Sequence, residues 1–314
     1  GDIVLICSSH GYQEPPILAP KKRGAMDELK TSIGAWGNGL LGVIIFSGSL
    51  PATRVAVAGF SPLFLTSARA IIAALLAAAL LVLLRQPCPE QRDLGSLAIV
   101  ALGVVIGFPL LTALALQHIT SARSIVFIGL LPLATAVFGV LRGGERPRPV
   151  FWLFACLGSA TVAAFAFSSD GSGALIGDLL MIAAIILCGL GYADGAVLSR
   201  RLGGWQVISW ALVLAAPLML LLTLMTLPTS WQGIGVPAWL SLAYVSVFSM
   251  LVGFVFWYRG LALGGIAAVG QLQLLQPFFG LALAGLLLGE PVAWTMIAAT
   301  GLVVMFVAFA RRFA

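Results

Sequence analysis

Residues 131–145 read LPLATAVFGVLRGGE, and residues 276–290 read QPFFGLALAGLLLGE. Each stretch has a proline as its second residue and ends in Gly-Glu, and the two stretches lie 145 positions apart. The same offset relates Ser96 to Ser241, so residues 96–145 correspond to residues 241–290 without a gap. An internal repeat of this length in a hydrophobic sequence indicates a duplicated membrane unit of the kind found in transporters.

Composition places the chain in the membrane. Of its 314 residues, 61% are hydrophobic and 9% are charged, which excludes an ordinary soluble domain. Continuous apolar runs at 70–84 and 296–310 lack the alternation typical of a membrane β-barrel. The sequence therefore predicts an all-α integral membrane protein with ten transmembrane helices. These spans, numbered 1 to 10, cover approximately 36–57, 62–84, 95–117, 121–141, 150–168, 174–198, 206–227, 237–258, 265–288 and 291–310.

The basic residues predict the orientation. Of the 17 lysines and arginines, all but Arg54, Arg69 and Arg123 fall in the tail or in loops that share one side when both termini are cytoplasmic. Cytoplasmic loops are enriched in such residues. The net charge of +6 is thereby assigned to topology and to contact with anionic membrane lipids, and not to nucleic acid.

The repeat is predicted to be inverted, because an odd number of spans per half turns the second copy over in the membrane. Gly144-Glu145 has Arg142 and Arg146 beside it, whereas Gly289-Glu290 has no basic neighbour. We expect two inverted five-helix repeats at residues 34–169 and 174–314, joined by a polar linker. Residues 1–33 are expected to be a disordered N-terminal tail or a remnant of an expression vector.

The spacing of several motifs resembles that of ten-helix members of the drug/metabolite transporter superfamily of the EamA type. The resemblance covers roughly residues 36–312, although these relatives often have Trp-Gly where this chain has Ser47-Gly48. The motifs are Ser61-Pro62 with Arg69, Ala115-Leu116-Gln117-His118, Leu131-Pro132-Leu133, Gly144-Glu145-Arg146-Pro147, Gly177-Asp178, Gly253-Phe254, Trp257-Tyr258, Gln276-Pro277-Phe278 and Gly289-Glu290-Pro291.

This resemblance implies export of small metabolites or amino acids across the bacterial inner membrane. It also implies a central cavity lined by helices 1, 3, 4, 6, 8 and 9. The identity of the substrate is not implied.

Two prolines and two glutamines mark a candidate substrate site. Pro132 and Pro277 lie near the middle of spans 4 and 9, where each removes an intrahelical hydrogen bond. Helix breaks in both halves at the bilayer centre are typical of transport sites. Gln276 and Gln273 share one helical face beside Pro277, and their amides can bind an amino-acid substrate or can hold helices together.

Charged and hydroxyl side chains inside the spans are further candidates. Ser47 and Arg54 lie on one stripe of span 1, and Arg54 is predicted to attract a substrate carboxylate, to pair with an acid of span 6 or to reach the headgroups. Arg69 is interpreted as structural and Arg123 as interfacial. Asp178 is interpreted as an acid that favours the amino terminus of span 6.

Asp194 lies near the inner end of span 6, where an unpaired carboxylate is unfavourable. It is therefore a candidate for proton coupling or for a gate. The alternative is a salt bridge to Arg200, Arg201 or Arg259 that closes the cytoplasmic side. Arg259 is accordingly a second gate candidate.

Aromatic residues offer a surface for an apolar or aromatic substrate. The candidates are Phe108, Phe127, Tyr192, Phe248 and Trp257. Trp257 and Tyr258 precede Arg259 at the end of span 8, so the simplest interpretation of that pair is an interfacial anchor.

The sequence thus predicts a secondary transporter that exports small metabolites, with amino acids as the expected substrates. A drug or metabolite facilitator is the alternative. An intramembrane aspartyl protease needs two aspartates close enough to share a proton, but Asp178 and Asp194 lie about 24 Å apart on one helix, so an enzyme is disfavoured. A channel is disfavoured because no filter-like repeat is present. No metal, cofactor or ATP-binding motif is recognised, and a monomer is expected.

Overall fold

A computed structural model describes residues 25–143, 148–167, 172–264 and 269–313, which form ten helical rods, α1 to α10. Five rods are uninterrupted: α2 (Pro62–Leu83), α5 (Pro149–Phe167), α6 (Ser172–Leu202), α7 (Gly204–Met225) and α10 (Trp294–Arg312). The other five are divided: α1 (Ala25–Ser47, Ser49–Ala56), α3 (Gln91–Val100, Ala101–Gly107, Phe108–His118), α4 (Ser121–Ile128, Leu131–Gly143), α8 (Val236–Tyr244, Val245–Val252, Gly253–Gly264) and α9 (Gly270–Leu275, Gln276–Leu288).

Seven of these rods contain a segment long and apolar enough to cross a membrane. They are α1, α2, α3, α4, α6, α7 and α8. The apolar segments of α5, α9 and α10 are shorter, at Pro149–Thr161, Leu272–Leu288 and Trp294–Phe309. An all-helical multi-pass membrane protein is therefore confirmed, while ten crossings and cytoplasmic termini stay predictions.

The first helix is longer than expected. It begins at Ala25 and so includes residues that the sequence assigned to the tail. The rest of that prediction concerns residues 1–24, which lie outside the described part of the chain. The same holds for the Gly144-Glu145 motif and for most of the linker between the halves.

The rods pack in a pattern that repeats between the halves. Each of α2, α4 and α5 packs against its counterpart, α7, α9 and α10. The contact of α1 with α8 is matched by that of α6 with α3. This exchange of equivalent partners is the arrangement that a two-fold relationship between duplicated halves produces.

The divided rods change their helical geometry at equivalent places. Pro132 and Pro277 each occupy the second position of a new helical segment, after a break in α4 and after a 3₁₀ segment in α9. Both α3 and α8 contain a π-helical segment, at Ala101–Gly107 and Val245–Val252. The sequence predicted the proline breaks and gave no indication of the π segments. Single π turns inside α-helices are frequent at functional sites.

Close contact of backbones fixes α3 against α6. A Cβ atom at Gly103 would lie 2.5 Å from the Leu187 carbonyl oxygen and 2.9 Å from the Gly191 Cα. Glycine at position 103 therefore allows the π segment of α3 to lie directly on α6, next to the residues that form the site described below.

Candidate functional site

A cavity lies between α1, α2, α3, α6, α8 and α9, and its wall combines aromatic, hydroxyl, amide and guanidinium groups. The centre of a water molecule could occupy a volume of about 30 Å³ inside it. A single water needs roughly 10–15 Å³ by that measure, so the space has room for water but is smaller than a metabolite. The resemblance implied that α4 lines the cavity. The described lining contains no residue of α4 and one residue of α2.

The residue that α2 contributes to the cavity wall is Arg69, which is 5% exposed. Its Nη2 donates to Ser249 Oγ at 3.2 Å, and Ser249 Oγ lies 2.6 Å from Ser49 Oγ. Its Nε is buried without a hydrogen-bond acceptor. The sequence led us to interpret Arg69 as structural, whereas the structure places it in the wall of the cavity.

Gln276 lines the same cavity from the start of the second segment of α9. It is 7% exposed, and its Oε1 is buried without a donor. Its backbone carbonyl accepts a hydrogen bond from Ser47 Oγ at 3.4 Å, which joins α1 to α9. Ser47 and Gln273 are both buried but are not part of the described lining. Gln276 is therefore the glutamine that the structure brings to the site.

Aromatic rings form one side of the cavity. Tyr192 and Phe254 pack at 5.9 Å between centroids, and Phe46 lies 4.9 Å from Phe254. Phe108 contributes from α3. Behind this wall, the Trp257 ring lies 5.9 Å from Tyr192. The cavity is thus suited to an apolar or aromatic substituent.

The structure places the other aromatic candidates outside the described cavity wall. Trp257 and Tyr258 are fully buried, so this pair is no interfacial anchor. Phe127 is also fully buried, but it lies in the hydrophobic core and not in the described cavity wall. Phe248 is 48% exposed and stacks on Tyr244, so its ring faces away from the cavity.

One end of the bundle, which we call the Glu290 end, is held by a cluster that joins α1, α3, α4 and α9. Glu290 accepts hydrogen bonds from the backbone and hydroxyl of Ser121 and from the backbone of Ala122. Arg54 lies 3.9 Å from Glu290 and donates to the Leu116 carbonyl. Arg54 therefore pairs with the acid that follows α9, and not with one on α6 as the sequence suggested.

A turn at Gly289 allows Glu290 to contact the start of α4. Gly289 ends α9 with φ = 62°, a left-handed conformation that favours glycine. The next residue, Glu290, can then reach the amino terminus of α4, where a negative charge is favourable. This is the structural reason for the Gly-Glu motif in the second repeat.

At the same end, Arg123 forms a two-point ion pair with Asp178, so Asp178 has a partner as well as a place near a helix start.

The opposite end, which we call the Asp194 end, carries a second ion pair. Both oxygens of the Asp194 carboxylate accept hydrogen bonds from Arg142, at 2.9 Å each. Asp194 is 4% exposed, whereas the Arg142 side chain is 44% exposed. The expected partners are different: Arg201 pairs with Asp93, and Arg200 and Arg259 are exposed.

The positions found by sequence reasoning therefore divide into two groups. Gln276, Pro277, Tyr192 and Phe108 lie at or beside the cavity, while Arg54, Asp194 and Arg259 lie toward the ends of the bundle. Arg69 and Ser249 were missed. The signal that could have identified Arg69 is its isolation in the apolar run of α2, since an arginine within a span is a functional candidate by default.

A multi-pass helical membrane protein with duplicated packing around a mixed polar and aromatic cavity belongs to the class of membrane transporters. Two consecutive parts of the chain, residues 35–167 and 175–312, each match the model of the EamA-like transporter family. The chain belongs to that family, as the motifs predicted.

Two relatives agree with this assignment, and one solved structure shares the fold. The "Uncharacterized transporter YdeK" of Bacillus subtilis (strain 168) is 69% identical over 285 residues, which are 91% of this chain and 99% of the relative. The "Uncharacterized transporter sll0355" of a Synechocystis strain is 22% identical over 78% of this chain and 80% of its own. A solved crystal structure matches with a TM-score of 0.64 over 89% of this chain and 99% of its own, at 20% identity, which shows a shared fold alone.

Proposed function

We propose that this transporter exports small amphipathic metabolites, amino acids with hydrophobic or aromatic side chains among them, across the bacterial inner membrane. The observation that supports this proposal is the composition of the cavity wall. It offers the amide of Gln276 and the guanidinium of Arg69, and its described part contains no acidic residue. Aromatic rings on the same wall suit the side chain of such a substrate.

The proposed mechanism is alternating access between the two ends of the bundle. In the predicted orientation the Glu290 end faces outward and the Asp194 end faces the cytoplasm. The Glu290 cluster and the Asp194–Arg142 pair then act as gates, and each opens while the other is closed. Each gate would have to hydrate its carboxylate on opening, because Glu290 is 11% exposed and Asp194 is 4% exposed in this structure.

Transport by purified protein in proteoliposomes tests the proposal. Vesicles loaded with an unlabelled amino acid should take up the labelled one by counterflow, and empty vesicles should not. Absence of counterflow for all twenty amino acids would reject amino acids as substrates. An imposed pH gradient separates coupled from facilitated transport: equal rates with and without the gradient, in the wild type and in Asp194→Asn, would exclude a coupling role for Asp194.

A further inference from the structure

Arg69 differs from the other arginines whose side chains the structure describes. Each of the others is either paired with a carboxylate, as are Arg54, Arg123 and Arg142, or is exposed. Arg69 is 5% exposed and has no carboxylate partner among the described residues. Its one recorded hydrogen bond goes to a neutral hydroxyl, that of Ser249.

The position of Arg69 keeps its charge away from the bulk water at the ends of the bundle. It lies seven residues after Pro62, the first residue of α2, which is about 10 Å along the helix at 1.5 Å per residue. Its side chain runs toward Ser249 in the π segment of α8, and not toward the end of the bundle. A buried cation without a counter-ion is unfavourable, and hydroxyl groups solvate it only in part.

The cavity supplies the space for a counter-ion. Its described wall contains Arg69 as its one charged residue, so the site has a single positive charge. A phosphate group carries about −1.5 to −2 charges at neutral pH, more than one guanidinium neutralises. A carboxylate matches both the single charge and the planar, two-point geometry of the guanidinium.

We propose that Arg69 binds the carboxylate of the transported substrate, an assignment that rests on the transport function proposed above. Ser249 holds the guanidinium in place while the site is empty. The unpartnered Oε1 of Gln276 is the acceptor for an amine or hydroxyl on the same substrate. The aromatic rings of Phe46, Tyr192 and Phe254 then contact its apolar part.

Binding of matched ligands to the detergent-purified full chain tests this assignment. The probes are L-phenylalanine, L-phenylalaninamide and L-3-phenyllactate, together with the leucine set of acid, amide and 2-hydroxy acid, and calorimetry gives each affinity. The wild type should prefer each carboxylate over its amide by at least about tenfold, because the amide lacks the group that Arg69 binds. The 2-hydroxy acid should bind about as well as the amino acid, because Gln276 Oε1 can accept from a hydroxyl as well as from an amine; much weaker binding would contradict the hydroxyl contact.

Substitution of Arg69 separates recognition from structure. Arg69→Gln should abolish the preference for the carboxylate, and Arg69→Lys should retain part of it. Arg85→Gln, an exposed arginine just after the same helix, is the matched control and should leave the preference unchanged. A purely structural role would weaken acid and amide alike and leave their ratio intact, which would overturn the proposal. Equal binding of acid and amide to the wild type, or no binding of any carboxylate probe, would overturn it without any variant.

The transport assay keeps the two proposals apart. Counterflow of a solute that lacks a carboxylate would retain the transport function and reject the role of Arg69. Carboxylate binding that depends on Arg69, in a protein that shows no counterflow, would reject the transport function and retain the binding site.

Discussion

Glu290 binds the amino terminus of α4 through Ser121, a residue 169 positions earlier in the chain, with the Ser121 hydroxyl donating to Oε2 at 2.6 Å. The backbone amides of Ser121 and Ala122 donate to the same carboxylate at 3.2 and 2.8 Å. One side chain of the second half therefore holds the start of a helix in the first half. Because the carboxylate side chain is 11% exposed, these hydrogen bonds are shielded from water.

Glu290→Gln should loosen the Glu290 end. The amide keeps one acceptor oxygen but loses the charge that attracts Arg54 and the helix start, a loss of about 1 kcal/mol. The measurement uses a chain whose native cysteines are replaced by serine and which carries Thr53→Cys, a position in the cavity wall. Labelling by a membrane-impermeant maleimide from the outside should be several-fold faster with Glu290→Gln. Unchanged labelling would show that this cluster does not control access.

The two partners of the Asp194–Arg142 pair should differ in their effect on stability. Removal of Arg142 leaves a buried carboxylate without a partner, whereas removal of Asp194 leaves a cation that is already 44% exposed. We therefore expect Arg142→Gln to lower the free energy of unfolding by about 1–3 kcal/mol and Asp194→Asn by less.

Unfolding of both single variants and of the double variant in detergent checks this expectation. The double variant should be more stable than Arg142→Gln alone, because the unpaired carboxylate is then absent. Equal losses in the two single variants would contradict the burial difference on which the prediction rests.

Gln276→Ala should reduce counterflow about tenfold, which corresponds to one lost hydrogen bond of roughly 1.4 kcal/mol. The folded fraction, measured by size-exclusion chromatography, should not change, since Gln276 Oε1 has no protein partner to lose. Gln232→Ala makes the same change in an exposed segment and is the matched control. Unchanged kinetics in Gln276→Ala would reassign this side chain to packing.

Much of the architecture could be predicted from the sequence because its determinants are local. Apolar runs gave the helices, and the repeated prolines gave the breaks at Pro132 and Pro277. Burial of Gln276 followed from the cost of placing an amide in hydrocarbon. These features depend on neighbours within a few turns of one helix.

The rest depends on contacts between distant segments. The roles of Arg69 and Glu290 follow from partners 180 and 169 residues away, which no local pattern reveals. The exposure of Phe248 could not be predicted either, because it depends on how the π segment of α8 packs against other helices. Trp257 resembled an anchor because Arg259 follows it, but α1 covers it: a Cβ at Gly42 would lie 3.1 Å from its backbone.

Gly103→Ala should destabilise the fold, whereas Gly95→Ala on the same rod should not. A Cβ at Gly103 would lie 2.5 Å from the Leu187 carbonyl and force α3 away from α6, at a cost of about 1–3 kcal/mol. A Cβ at Gly95 would meet no atom within 4 Å, and alanine favours a helix by up to about 1 kcal/mol over glycine. Thermal unfolding of the two variants in the same detergent gives the comparison. Equal midpoints would show that α3 and α6 can separate without penalty. A lower midpoint for Gly103→Ala, together with slower counterflow, would show that the backbone contact between α3 and α6 shapes the cavity wall. Val104 of α3 and Tyr192 of α6 both lie in that wall.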